Sequence, residues 1–299
     1  MGQVVLKLEK DILQQMNDFY ANNQQKNKSP HTLFVAKKDG CTITAYSSGK
    51  VLFQGSNIEH EVVRWEKYNL DQHEQKKQPS LPFLNDAHAG SDEAGTGDYF
   101  GPITVASVYA NKKDQALLKE LGVKDSKTLT DASIKNIVKD ILHTNIVYSS
   151  VHLNNEKYNE LVKKGWSQNR MKAWMHHHAI KNVINKLGEK PHILVDQFSK
   201  PEQFHENIRK SGEEPIEGIA FLTKAESVSI PVACASMIAR YRFLQEMDRL
   251  SEIAGFELQK GASHIVDQQI KRLIETKGFN VLNQIAKVHF ANTKKAMQL

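Results

Sequence analysis

Two adjacent carboxylates, Asp92 and Glu93, run directly into the turn Gly95-Thr96-Gly97. Carboxylates at the end of a predicted strand need water, cations or a metal ion as partners, because an unpaired buried charge is costly. The glycines permit positive φ angles and let a partner's backbone come close. This pattern indicates a metal site with a polymer lying beside it.

Two further acids stand at the ends of predicted strands later in the chain. Asp196 interrupts the otherwise apolar stretch 192–198, and Glu226 follows the stretch 219–224. A charge in a buried strand costs several kcal/mol unless it is paired or bound to a metal. For Asp196 taken alone, a structural salt bridge and a catalytic role are equally good interpretations.

The composition is that of a globular protein. The chain has 299 residues, of which 40% are hydrophobic and 25% charged, enough for one large domain or two unequal ones. No apolar run is long enough for a membrane span, and the first residues lack the layout of a signal peptide. Cys41 and Cys234 are far apart in sequence, which fits a reducing compartment, so we expect a cytoplasmic protein. The formal charge of +6 favours a polyanionic partner only weakly, because 34 acidic residues remain.

The hydrophobic pattern changes along the chain and predicts two domains. Residues 1–68 are predicted to form a small α+β domain, 69–86 a polar, proline-containing linker, and 87–299 a larger domain. In the last part, strands alternate with helices, which predicts a mixed α/β sheet flanked by helices. The strands are expected at 90–93, 103–110, 145–153, 192–198 and 219–224, and the long helices at 131–143, 168–187, 232–253 and 266–275.

Strand alternation predicts two different faces for the small N-terminal sheet. One face is expected to lie under two helices and to carry Val4, Leu6, Leu33, Val35, Ile43, Ala45, Val51 and Phe53. The opposite face is expected to show Gln3, Lys7, Phe34, Thr42, Thr44, Tyr46, Leu52 and Gln54. Hydroxyl, amide, cationic and aromatic groups suit nucleic acid, so the candidate substrate-binding residues are Lys7, Phe34, Thr42, Thr44 and Tyr46. A plain solvated face is the alternative, and the pattern alone favours it.

Five segments in register resemble a known family. They are DEAGTGDYFGP, KDSKTLT, ILVDQF, TKAES and VACASMIARYRFL, and together they closely resemble bacterial ribonuclease HIII. That family is a type 2 ribonuclease H with an added N-terminal substrate-binding domain similar to the TATA-binding protein. The resemblance therefore implies that residues 1–68 are the substrate-binding domain and 87–299 the catalytic domain. The likeness covers nearly all of residues 87–299. It implies a ribonuclease H-like fold in which the first and fourth strands of the catalytic domain are neighbours.

The resemblance also implies the chemistry. The family's four acids correspond to Asp92, Glu93, Asp196 and Glu226, which are therefore the candidate catalytic and metal-binding residues. The HII class usually has Asp at the fourth position, so Glu226 fits the HIII class. Two divalent cations would make such acids a scaffold for phosphodiester hydrolysis, and oxygen ligands without a Cys/His set point to Mg²⁺ or Mn²⁺.

The expected substrate is an RNA/DNA hybrid, cleaved within its RNA strand to leave 5′-phosphate and 3′-hydroxyl ends. Backbone groups of Gly95, Thr96 and Gly97 are expected to contact 2′-hydroxyls, which distinguish RNA from DNA. The HII class usually carries Arg or Lys at the position of Thr96, and a backbone role does not need that side chain. Lys127 is a candidate phosphate contact, although a solvated loop lysine explains it equally well. No internal repeat suggests a dimer, so a monomer is expected.

Other interpretations stay open at this point. Cleavage at a single ribonucleotide in duplex DNA, as in the HII class, would need a tyrosine that reads the RNA–DNA junction, and Tyr241 is a distant match. A hybrid-binding protein with purely structural acids is the alternative from outside enzymology. The run His176-His177-His178 is predicted to serve as helix surface and packing, because consecutive helical positions diverge by about 100° and cannot converge on one ion.

Overall fold

The computed structural model describes residues 2–26, 31–70, 81–124, 126 and 129–298. The chain divides into two compact units, residues 1–81 and 82–299. The division falls inside the segment 69–86 predicted as a linker, and residues 71–80 of that segment lie outside the described residues. Among the described helices, none is long and apolar enough to cross a bilayer.

The N-terminal unit is an antiparallel sheet with two helices. Its described strands lie in the order β1-β5-β4-β3-β2. The helices pack on one face of this sheet, where Met16 and Tyr20 meet Phe53 and Trp65 in a buried core. The strands are β1 (Gly2–Lys7), β2 (Gln24–Gln25), β3 (Thr32–Lys38), β4 (Cys41–Tyr46) and β5 (Lys50–Gly55), and the helices are α1 (Lys10–Phe19) and α2 (Ile58–Glu66).

The predicted faces of this sheet were wrong for β3. The pairing of β3 with β4 shifts between Thr32 and Phe34, so that Phe34 lies opposite Ala45 on the buried face. Phe34 is 3% exposed, whereas Leu33, expected inside, is 53% exposed. An extra residue in one strand reverses the alternation beyond it, and the strict period of two could not foresee that. Phe34 is therefore a core residue and not a candidate for substrate contact.

The C-terminal unit contains a mixed sheet of the type the sequence predicted. The described strands lie in the order β10-β9-β6-β7-β8. β9 runs parallel to both β6 and β10, whereas β7 is antiparallel to β6 and to β8. The expected adjacency of the first and fourth strands, β6 and β9, is confirmed. The bounds are β6 (His88–Ala94), β7 (Ile103–Ala110), β8 (Val147–Leu153), β9 (His192–Asp196) and β10 (Ile219–Leu222).

The four predicted long helices are present, together with helices that the pattern did not predict. The unpredicted helices are short. Two of them begin at a side-chain cap, namely the capping box of Asn111 with Asp114 and the cap at Asn154. The bounds are α3 (Lys112–Glu120), α4 (Asp131–Leu142), α5 (Asn155–Lys163), α6 (Gln168–Leu187), α7 (Pro201–Lys210), α8 (Ile230–Ala254), α9 (His264–Lys277), α10 (Val281–Ile285) and α11 (Ala291–Ala296).

Helices α6 and α8 cover opposite faces of the sheet. Ala106 of β7 packs in the cluster that contains α8, and Val105, its neighbour in sequence, packs against residues of α6. On the α8 side, a Cβ atom at Gly90 would lie 2.3 Å from the backbone N of Val232 and 2.5 Å from the carbonyl carbon of Pro231. Gly90 therefore allows the start of α8 to touch the backbone of β6.

Gly90→Ala should lower stability by forcing α8 away from β6. Overpacking of this kind costs about 1–3 kcal/mol, equivalent to a fall in Tm of roughly 2–12 °C for a domain of this size. Calorimetry of both variants would measure it, with Gly97→Ala as the matched control, because a Cβ at Gly97 meets nothing within 4 Å. An unchanged Tm for Gly90→Ala would contradict the close packing.

Candidate active site

Asp92 and Asp196 come together at the ends of two parallel strands. The last pair in the register of β6 and β9 is Ser91 with Val195, and the two acids directly follow it. On its other side, Asp196 is paired with Leu222 at the end of β10. Because neighbouring parallel strands end at the same edge of a sheet, acids separated by about a hundred residues in sequence lie side by side.

Asp92 and Glu93 leave β6 on opposite faces, because successive side chains of a strand alternate. Asp92 is paired with Ala106 on the α8 side, where it accepts a hydrogen bond from the Ser236 side chain. Glu93 is paired with Val105, whose side chain packs against α6. The two adjacent carboxylates therefore belong to different layers of the domain.

Burial and neighbouring negative charge both act on Asp92. The residue is 7% exposed. Burial raises the pKa of its carboxyl well above the ordinary value, and the charges of Glu93 and Asp196 raise it further. Carboxylates that repel one another in a shared site favour a cation between them.

Glu93 is held by two side chains of α6. Lys172 Nζ donates to Oε1 at 2.9 Å, and His176 Nε2 contacts Oε2 at 2.8 Å. The other ring nitrogen of His176 lies 2.8 Å from Ser91 Oγ. Burial raises the pKa of Glu93, but His176 and Lys172 outweigh it, so the net pKa is lowered. These contacts keep Glu93 ionised and fix its orientation.

The prediction that the three histidines serve only for surface and packing was wrong for His176. His177 and His178 contact Glu213, away from the acids, so the three rings do not converge. His176, in contrast, is fully buried and reaches Glu93. The sequence contained one indication of this role. Lys172 and His176 are four residues apart, so both can face the same partner from one side of a helix.

Asp196 is tied to the turn that carries Glu226. Its Oδ1 accepts a hydrogen bond from Ala225 N at 2.8 Å, and Ala225–Ser227 forms a single 3₁₀ turn. Lys224, just before this turn, has a positive φ of 58°, which few residues other than glycine adopt. Glu226 is 4% exposed. Glu226 therefore directly follows the residue that Asp196 contacts. It is not among the residues that line the cleft described next.

A cleft of about 530 Å³ lies at this edge of the sheet. It collects three of the four predicted acids, the whole glycine turn, and two cations, Arg240 and Lys260, that both pair with Asp131. Lys127 lies outside the described residues, whereas its neighbour Ser126 is on the cleft wall, 3.0 Å from Ser236 Oγ. The lining residues are Asp92, Glu93, Ala94, Gly95, Thr96, Gly97, Asp98, Ser126, Asp196, Ser236, Arg240, Phe243 and Lys260.

The glycines of the turn differ in what they permit. Gly95 has a φ of +87°, and a Cβ there would lie 2.3 Å from the carbonyl oxygen of Pro102, so a side chain is excluded. Gly97 faces open space. Between them, the carbonyl of Thr96 accepts a hydrogen bond from Gln168 Nε2 at 2.9 Å. The turn is therefore fixed at Gly95 and Thr96 and open at Gly97.

The donors at this site fit a hard divalent cation. Asp92 and Asp196 offer carboxylate oxygens on one side of the sheet, and their mutual repulsion raises the pKa of Asp92. In the described part of the chain, no three Asp, Glu, His or Cys side chains are gathered closely enough to hold a metal ion.

Comparison with known proteins identifies the family. A family model described as ribonuclease HII matches residues 89–293, and a domain family of unknown function, DUF3378, matches residues 3–79. Ribonuclease HIII of Oceanobacillus iheyensis is 47% identical over 310 aligned positions that cover all of both chains. The chain belongs to the ribonuclease HIII family. It is accordingly a ribonuclease H, as the acidic and glycine-containing segments led us to expect.

Two further relatives of the ribonuclease HIII family agree over nearly the full length. Ribonuclease HIII of Bacillus pumilus is 46% identical, and the alignment covers 99% of each chain. The crystal structure of Bst-RNase HIII in complex with Mn²⁺ superposes with a TM-score of 0.70 at 37% identity, covering 99% of this chain and 98% of that one. The predicted fold class is confirmed by this match.

Lys172→Met should impair activity by releasing Glu93. Loss of a group that orients a metal-ligating side chain typically costs about 10–100-fold in metal affinity or activity. Because Lys172 helps to lower the pKa of Glu93, its removal should raise that pKa and move the acidic limb of the activity profile to higher pH. Turnover measured across pH tests this, with Lys181→Met, on the same helix but paired with Glu213, as the control. An acidic limb that stays in place would show that Lys172 does not act on Glu93.

Proposed function

We propose that the protein is an endonuclease that cleaves the RNA strand of RNA/DNA hybrids by two-metal hydrolysis, leaving 5′-phosphate and 3′-hydroxyl ends. The observation that carries this proposal is the pair Asp92 and Asp196, side by side at the ends of parallel strands in a cleft that also contains the glycine turn. Membership of the ribonuclease HIII family supports it, and so does the Mn²⁺ bound by a relative.

Asp92 and Asp196 would hold the cations, with Glu93 and Glu226 completing the set. Bound Mg²⁺ or Mn²⁺ would supply an activated water and stabilise the leaving oxygen. The protein's own contribution is to orient these side chains. The Lys172 and His176 contacts orient Glu93 and lower its pKa, and the backbone N–H of Ala225 orients Asp196.

The glycine turn is proposed to contact 2′-hydroxyl groups through its backbone at Gly95, Thr96 and Gly97. Support comes from its position on the cleft wall beside Asp92 and from Gln168, which holds the Thr96 carbonyl in one orientation. A fixed backbone suits recognition of a ribose hydroxyl, which both donates and accepts hydrogen bonds. Lys127 remains a predicted phosphate contact.

The open face of the N-terminal sheet is proposed to bind the hybrid. Across the strands, one row contains Gln3, Gln54, Thr42 and Lys37, and the next contains Val5, Leu52, Thr44 and Val35. Lys7, Thr42, Thr44 and Tyr46 are all partly exposed on this face. Amide and hydroxyl groups beside apolar side chains can contact both sugar–phosphate backbone and sugar faces.

We also infer a monomer in a reducing, cytoplasmic setting. Cys41 and Cys234 are both free and buried, each within its own unit. Burial raises the pKa of both thiols, which makes them poor nucleophiles. These cysteines behave as core residues.

Asp92→Asn should abolish cleavage while leaving hybrid binding nearly intact. The substitution removes the charge that a cation needs but preserves the shape of the side chain. Gel assays of cleavage with titrated Mg²⁺ or Mn²⁺, together with binding measured without metal, would test this. Asp140→Asn, on an exposed helix position, is the control. Near-normal turnover of Asp92→Asn would overturn the assignment of this acid.

A continuous hybrid should be cleaved in preference to a DNA duplex that contains a single ribonucleotide. Tyr241, the distant match for a junction-reading tyrosine, is 7% exposed and packs in the core between α8 and the sheet. Its hydroxyl accepts a hydrogen bond from Gln245 Nε2 at 3.0 Å. Cleavage of the two substrates side by side in one gel measures the preference, and the reverse preference would favour activity of the HII type.

A further inference from the structure

The loop of residues 95–101, which follows the catalytic acids, is fastened to a distant segment near the end of the chain. Gly101 N donates to Ile285 O at 2.9 Å, and Lys287 N donates to Tyr99 O at 2.8 Å. Phe100 and Ala286 form an isolated antiparallel bridge between these contacts. The loop is therefore paired through its backbone with residues 285–287, outside the main sheet.

Lys287 lies at the centre of this contact and is fully buried. Its Nζ donates to the carbonyl of Asp98 at 2.8 Å and to that of Gly101 at 2.5 Å. Both carbonyls belong to the loop, one on each side of Tyr99 and Phe100. A single amine thus closes residues 98–101 into a compact turn.

Burying a lysine amine costs folding free energy unless hydrogen bonds compensate for the lost contact with water. Burial lowers the pKa of Lys287 to about 7, and the charge of Asp98 only partly opposes that shift. An apolar side chain of similar size would fill the same space at lower cost. Packing alone therefore does not explain a lysine here, whereas the hydrogen bonds of its amine to the carbonyls of Asp98 and Gly101 do.

Other contacts also hold this loop, and the Lys287 side chain differs from them in the pair of carbonyls that it joins. Asn155 Nδ2 also donates to Gly101 O, at 2.8 Å. The carboxylate of Asp98 accepts from Gly261 N at 2.6 Å, which fixes the side chain of Asp98. Of these donors, Lys287 joins the two ends of the segment 98–101 to each other. Gly97, the open position of the turn, directly precedes that segment.

We propose that Lys287 is a positioning residue that sets the conformation of residues 95–101 and thereby the preference for RNA over DNA. This inference rests on the proposed role of the glycine turn in contacting 2′-hydroxyls. The hydrogen bonds of the Lys287 amine go to the loop carbonyls of Asp98 and Gly101, and not to the four acids. Its removal should therefore alter the choice of substrate while metal binding persists.

The test compares Lys287→Met with Lys294→Met, which makes the same change at an exposed lysine of α11. Affinities for an RNA/DNA hybrid and for a DNA duplex of the same sequence are measured at one salt concentration, because phosphate contacts depend on salt. Hydrogen exchange of residues 95–101, Tm and Mn²⁺ affinity are measured on the same full-length proteins.

For Lys287→Met we expect the ratio of hybrid to duplex affinity to fall by about tenfold, the effect of one lost set of ribose hydrogen bonds. Exchange should rise within residues 95–101, and Mn²⁺ affinity should match the wild type. Lys294→Met should change none of these. An affinity ratio equal to that of the wild type, in a folded Lys287→Met protein, would overturn the proposal.

Asn155→Ala provides a second route if Lys287→Met does not fold. It removes the other side-chain donor to Gly101 O, so it should lower the same affinity ratio to a smaller degree, and an unchanged ratio would count against the inference. The result that would refute the proposed function is different from the result that would refute the role of Lys287. A wild-type protein that shows no preference for the hybrid, or does not cleave it, refutes that function without reference to Lys287.

Discussion

The parallel pairing of β6 with β9 is the constraint on which the site depends. It brings Asp92 and Asp196 to one edge of the sheet, where each raises the electrostatic cost of the other. Two carboxylates in this position destabilise the fold unless a cation or a proton joins them. Hydrophobic packing on both faces of the sheet keeps the two acids in place despite this repulsion.

The alternation of β6 divides the acids between two layers. Asp92 belongs to the α8 layer, where Gly90 allows the helix to reach the strand backbone. Glu93 belongs to the α6 layer, where contacts with Lys172 and His176 stabilise its ionised form. One acid is left electrostatically strained while its neighbour is satisfied. Such a division gives two adjacent carboxylates different affinities for a proton.

The glycine turn has two kinds of support. Gly95 is held by its own backbone geometry against Pro102, and the carbonyls further along are held by side chains from other elements, Gln168 and Lys287 among them. A loop held in this way loses little conformational entropy when a ligand binds. Residues far apart in sequence thus converge on the few backbone groups that line the cleft.

The amino-acid order by itself indicated the glycine turn, the two-domain pattern and the alternation of strands and helices. These features are local, so period and composition reveal them. The four candidate acids were assigned as a set through the resemblance of their segments to ribonuclease HIII. Tertiary structure alone decided that Glu93 contacts α6, that Phe34 is buried beyond a bulge, and that Lys287 reaches Gly101 across 186 positions. Such contacts depend on register and helix packing, which no short window of sequence contains.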